Sequence, residues 1–144
     1  KIQTTESVSQ NYGLSFSTNY KTLPNLTLGY NFTVNDNFSD VIYVDSPTVT
    51  LEYFFLDAFS FVSEYSYYHN RNKSNTIDSE YDFLTASLMY QKKDSKWEWK
   101  LSGTNLLDTK SLDTNSFSQL GGTSTFSSYR VQPRFVILSL KYRL

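Results

Sequence analysis

Val136-Ile137-Leu138-Ser139-Leu140-Lys141-Tyr142-Arg143-Leu144 ends the chain, and its residues alternate in polarity. Val136, Leu138, Leu140, Tyr142 and Leu144 form one row, and Ser139, Lys141 and Arg143 form the other. Successive side chains of a strand point to opposite faces, so this spacing predicts a β-strand with one oily and one wet side. The same period returns upstream. Trp97, Trp99 and Leu101 oppose Glu98, Lys100 and Ser102, and Leu84, Ala86, Leu88 and Tyr90 oppose Thr85 and Ser87. Phe59, Phe61, Tyr65 and Tyr67 oppose Ser60, Glu64 and Ser66, while Val49, Leu51, Tyr53 and Phe55 oppose Thr48, Thr50 and Glu52. Leu26 to Val34 and Tyr12 to Tyr20 repeat the pattern, the latter with Gly13, Ser15, Ser17 and Asn19 on its polar side. The expectation is an all-β, antiparallel chain of about seven strands.

Composition narrows the setting. Aromatic residues make up 17% of the 144 residues, with 12 Tyr and 11 Phe, yet the mean hydropathy is -0.45. No run approaches the roughly 18 apolar residues of a spanning helix. A net charge of -1 offers no basic face for nucleic acid, and the absence of cysteine removes disulfides and thiolate chemistry. The Asn-x-Ser/Thr triplets at Asn25, Asn31, Asn37 and Asn72 follow from the richness in these residue types. No apolar leader follows Lys1, so an export signal is expected upstream.

Alternating strands also build soluble sandwiches, whose apolar face meets a second sheet. Three features favour a transmembrane β-barrel. The apolar rows end in aromatics such as Tyr12, Tyr20, Tyr67, Tyr90 and Trp97, suited to a membrane-water interface. The patterned stretches have the roughly 9–11 residues a tilted spanning strand needs. Short connections at Leu23-Pro24-Asn25, Leu56-Asp57-Ala58 and Asp94-Ser95-Lys96 alternate with long polar stretches at 35–46, 70–79 and 108–127, read as periplasmic turns and external loops. An odd strand count with a periplasmic C-terminus fits no complete single-chain barrel, so residues 1–144 are expected to be the C-terminal part of a larger one.

Trp99-Lys100-Leu101-Ser102-Gly103-Thr104-Asn105-Leu106-Leu107-Asp108 resembles the penultimate-strand motif of TonB-dependent outer-membrane receptors. Tyr129 to Leu144 resembles their closing strand, with Leu144 where a terminal Phe is more usual. The resemblance implies a barrel of about 22 strands in the outer membrane of a Gram-negative bacterium, with a plug and the remaining strands outside this chain. It implies import of a scarce nutrient (a metal chelate, a cofactor or an oligomer) energised by TonB through a region outside this chain. An outer-membrane lipoprotein is a further expected partner. The alternative is a structural or assembly barrel that scaffolds proteins of a secretion or insertion machine.

On this reading Leu28, Phe32, Leu51, Phe61, Leu88 and Leu138 face lipid, and Asn31, Glu52, Glu64, Lys100 and Lys141 face the lumen. Val136, Leu138, Leu140, Tyr142 and Leu144 form a C-terminal assembly signal. Phe117, Leu120 and Phe126 are candidate ligand or partner contacts in the external loop. No catalytic, metal or cofactor-binding residue is expected. His69, the single histidine, is read as solvated, Glu52, Glu64 and Glu98 as lumen-lining charge, and Gly121-Gly122 as a loop hinge with no phosphate-loop context.

Overall fold

The computed structural model describes residues 7–37, 40–118 and 123–143. Strands β1 (Ser7–Ser17), β2 (Asn25–Asn37), β3 (Asp40–Phe55), β4 (Phe59–Asn72), β5 (Asp78–Gln91), β6 (Trp97–Thr104) and β9 (Phe135–Tyr142) form one antiparallel sheet in the order β1-β2-β3-β4-β5-β6-β9. β7 (Ser111–Ser118) and β8 (Thr123–Arg130) pair separately as a hairpin inserted between β6 and β9. The sheet is open, with β1 and β9 at its edges.

The strands are longer than hydropathy suggests. The polar stretch 35–46, expected to be a loop, is mostly the paired ends of β2 and β3, and 70–79 shrinks to the turn 73–77 between β4 and β5. The stretch 108–127 likewise holds β7 and most of β8. Polarity alternates only where a face meets an apolar environment, whereas ladder hydrogen bonds form wherever two backbones run alongside. Pro47, which has no N–H to donate, stands inside β3. Here pairing with β4 skips Ser46 and Pro47 and resumes unshifted, from Asp45↔His69 to Thr48↔Ser66. At the start of the chain, residues 18–24 form an irregular turn where strand was expected up to Tyr20.

The connections 18–24, 56–58 and 92–96 lie at one end of the sheet, here the near end, but those at the other end between β2 and β3 and between β4 and β5 are no longer than these, so the expected alternation of short turns with long loops is not observed. Between β3 and β4, Leu56 (φ 53°) and Asp57 (φ 51°) are both left-handed, and Ala58 N–H donates to the Phe55 carbonyl at 3.3 Å. This is a two-residue turn whose twist matches that of the strands it joins. The turn 73–77 lies at the opposite, far end.

Among the described residues nothing covers the sheet. Ala58 is the only buried apolar residue among those described, and Leu14, Leu138 and Leu140 are 77%, 60% and 65% exposed. The accessible surface is 10973 Å², whereas a compact monomer of 16.7 kDa would expose about 7,600 Å². No second sheet packs on the apolar face, so the described residues do not form a sandwich.

Candidate functional site

Directly paired residues of an antiparallel ladder share a face. From β2 outward, Leu28↔Val49, Val49↔Tyr65 and Tyr65↔Leu84 run onto β5, and Leu88↔Leu101 and Leu101↔Leu138 carry the same face to β9. Phe32, Leu51 and Phe61 occupy this face by their period-two spacing, so the six residues expected to face lipid share one apolar surface. Asn31, Glu52, Glu64, Lys100 and Lys141 are all exposed on the opposite, polar surface. There Lys141 Nζ lies 3.6 Å from Glu98 Oε2, and Arg143 also pairs with Glu98. Val136, Leu138, Leu140 and Tyr142 line the apolar side of edge strand β9, while Leu144 lies outside the described residues. Leu120 and Gly121-Gly122 also lie outside them. Phe117 and Phe126 lie on β7 and β8, in strand where a loop was expected, and their side chains are not described.

The edge of the apolar surface runs obliquely across the strands. Phe16, Leu28, Val49, Tyr65 and Leu84 form one registered row, apolar or aromatic throughout. Four residues nearer the far end, the row Tyr12, Phe32, Asp45, His69 and Glu80 begins apolar and ends charged. The boundary therefore drifts by about one residue per strand, and with a rise of ~3.4 Å per residue and a strand spacing of ~4.8 Å this is a slope of about 35°. The near edge moves the same way. Phe55, Phe59, Tyr90, Trp99 and Leu140 form a row there, Trp97 and Tyr142 lie beyond it, and the corresponding part of β2 has already given way to turn.

Aromatics mark both edges. At the near end, Tyr53, Phe55, Phe59, Tyr90 and Trp99 form a chain with centroid separations between 5.1 and 5.8 Å, and Trp97 packs on Tyr142 at 4.8 Å. Lys96 Nζ lies 5.8 Å from the Tyr142 ring, close enough for a cation-π contact. Toward the far end the Tyr30 hydroxyl donates to Asp45, Tyr67 to Glu80 at 2.7 Å and Tyr65 to Asp82 at 3.4 Å. Beyond these pairs come Arg71, 3.2 Å from Asp45, and His69, whose Nε2 lies 2.7 Å from Asp78. His69 is thus three-quarters buried and paired, not simply solvated. The tyrosines place ring against the apolar surface and hydroxyl against the charged rim. Sequence reading found the rings but not the carboxylates, which lie on neighbouring strands.

Two buried asparagines brace the far end. Asn105 (φ 52°, 2% exposed) follows β6 and donates through Nδ2 to the carbonyls of Thr109 and Gln132, both at 2.9 Å, while its Oδ1 accepts the Thr109 N–H at 3.0 Å. It ties the strand leading into β7 to the strand leaving β8. Leu106 N–H and the Thr109 hydroxyl then bond carbonyls of Leu84 and Asp82 on β5, at 2.9 and 2.5 Å. The Asn-Leu-Leu-Asp stretch is therefore a structural clamp.

Asn72 (4% exposed) accepts the N–H groups of Thr76 and Ile77 at 2.9 and 2.7 Å and donates to Asp40 Oδ2 at 2.6 Å. The Ser74 hydroxyl donates to Asp40 at 2.5 Å and is the main reason its carboxyl is held below the ordinary 3.8, with the Val41 N–H and Asn72 amide assisting against the opposing effect of burial. A carboxyl depressed in this way stabilises the fold above its ordinary value, and that contribution disappears as pH falls through the lower folded one. Hydrogen exchange of Thr76 and Ile77 should stay protected down to about pH 4 and lose part of that protection on further acidification to about pH 2. A substitution Asp40→Asn should abolish this step.

Among the described residues no group of three or more His, Asp or Glu side chains is placed to hold a metal ion. Comparison with protein-family models, with curated proteins and with solved structures returns no match.

Proposed function

We propose that the chain is the C-terminal wall of a TonB-dependent outer-membrane receptor, with its apolar surface in lipid, its polar surface toward the lumen and its far end outside the cell. The observation that carries this reading is the uncovered apolar band, edged by aromatics and running about 35° off the perpendicular to the strands. Strands of a barrel tilt roughly 35–45° to its axis, so a flat hydrocarbon slab would cut them along such a slanted band. β3 supplies the reach: its 16 residues extend about 53 Å at ~3.3 Å each, more than a tilted crossing needs. The edges at β1 and β9 carry unpaired backbone groups that lipid cannot satisfy, so in this reading they join the remaining strands of the barrel. The receptor-like residues Trp99 to Asp108 and Tyr129 to Leu144 favour TonB-driven import over a purely structural barrel.

The intact protein should fractionate with the outer membrane, migrate differently in gels before and after heating, and support TonB-dependent uptake. Recovery as a soluble protein would defeat the barrel reading; assembly with no TonB-dependent uptake of any solute would leave the scaffold alternative. Because β9 must close the barrel, deleting Tyr142 to Leu144 should abolish assembly, leaving protease-sensitive, unfolded protein. Normal surface levels of that truncation would remove the assembly role given to these residues.

A further inference from the structure

Between β5 and β6 the turn 92–96 presents Lys92, Lys93 and Lys96, all exposed, and none of the three forms a salt bridge with a carboxylate among the described residues. Glu98, the next acid along the chain, is already occupied by Lys141 and Arg143. The turn is nevertheless held in place. Asp94 is left-handed (φ 64°), Ser95 N–H donates to the Lys92 carbonyl at 3.1 Å, and Arg143 N–H donates to the Lys96 carbonyl at 2.8 Å, fastening the turn to the end of β9. Three like charges that the fold gathers and does not compensate attract an anion from outside the chain.

Lys96 shows which side of the sheet this charge serves. Its Nζ lies 5.8 Å from the centre of the Tyr142 ring, and that ring also packs on Trp97 at 4.8 Å. Tyr142 belongs to the same row as Leu138 and Leu140, so the ammonium lies at the edge of the apolar surface and not on the opposite face with Glu98, Lys100 and Lys141. Trp97 and Tyr142 are 55% and 47% exposed, which leaves both rings open to a molecule that also reaches Lys96. A protein lodged against the polar face would meet a different set of side chains.

Charge and depth together select the ligand. In the connections 18–24, 56–58 and 92–96, Lys21, Lys92, Lys93 and Lys96 stand against Asp57 and Asp94. The far end of β3 to β5 has the reverse balance, with Asp40, Asp45, Asp78, Glu80 and Asp82 against Arg71, Lys73 and His69. Indole and phenol rings settle at the headgroup level of a bilayer, and a lysine stem carries its ammonium further out, to the phosphates. A zwitterionic headgroup brings its own ammonium to such a site, whereas a net anionic one answers the unpaired lysines. Resting on the receptor reading above, we propose that Lys92, Lys93 and Lys96, with Trp97 and Tyr142, form a binding site for the headgroup of an anionic phospholipid in the membrane leaflet at the near end.

The test places the intact receptor in vesicles of phosphatidylcholine and phosphatidylglycerol, with the same small fraction of brominated, tryptophan-quenching acyl chains carried by one lipid or by the other. The signal of Trp97 is the difference between the parent and Trp97→Phe. Quenching by brominated phosphatidylglycerol should be at least about twofold stronger than by brominated phosphatidylcholine. Combining Lys92→Gln, Lys93→Gln and Lys96→Gln should remove this excess, and the corresponding triple replacement by Arg should keep it. Equal quenching by the two lipids in the parent overturns the site and leaves the lysines to an acidic protein partner. An excess that survives the triple glutamine variant overturns it too. Where that variant fails to assemble, Lys96→Gln alone replaces it, and an unchanged excess counts against the site equally. Heat-modifiability of the parent separates the two readings. A parent that neither inserts nor shifts on heating defeats the receptor reading, whereas an inserted parent with no lipid preference defeats the lipid site alone.

Discussion

Replacing Leu88 with Arg should destabilise the assembled protein by about 2–4 kcal/mol, the cost of a cation near the bilayer midplane of a barrel. Leu88 lies between Phe61 and Leu101, with Leu138 next in line, inside the apolar band and away from both aromatic edges. Leu138→Arg belongs to the same row and should behave alike if β9 is paired on its other side. Glu64→Lys, on the opposite face, also changes charge but places it toward water, so its effect should stay within about 1 kcal/mol. Unfolding titrations of the intact protein in lipid vesicles would measure all three. Equal effects of Leu88→Arg and Glu64→Lys would mean that the apolar band does not face hydrocarbon.

Replacing Asn105 with Ala should be nearly as severe, at roughly 2–4 kcal/mol, although it removes only a small polar side chain. The substitution strands the Thr109 N–H and the carbonyls of Thr109 and Gln132 in a site from which Asn105 is 98% shielded, and a buried group left without its partner costs about 1–3 kcal/mol. It also leaves Ala in a left-handed conformation that Asn tolerates better. The loss should concentrate beyond β6. Limited proteolysis of the assembled protein should open 105–134 in the variant while the other strands remain protected. A variant with an unchanged cleavage pattern and stability would mean that the clamp carries little energy. Asn105→Asp keeps the accepting oxygen but loses the two donated bonds, and should fall between the two.

How far each feature could be read in advance depended on how local its cause is. Leu28, Phe32, Leu51, Phe61, Leu88 and Leu138 could be assigned to a common face because alternation is a property of one strand, and antiparallel neighbours in register preserve it. The far halves of β2 to β5 could not, since their polar residues pair through backbone groups that carry no hydropathy signal.

Asn105 shows the same divide within one residue. The motif around it could be recognised, but the two elements it joins are brought together only when β8 returns to β9, 27 positions later at Gln132. The tyrosine-carboxylate rim and the Trp97–Tyr142 pair likewise depend on which residue of one strand stands beside which of the next. Strand identity, the separation of oily from wet faces and the aromatic ends were already written in the order of residues, because each arises within a single strand. The tilt of the apolar band and the buried asparagine clamps arose from register and from long-range return of the chain, relations that no single strand contains.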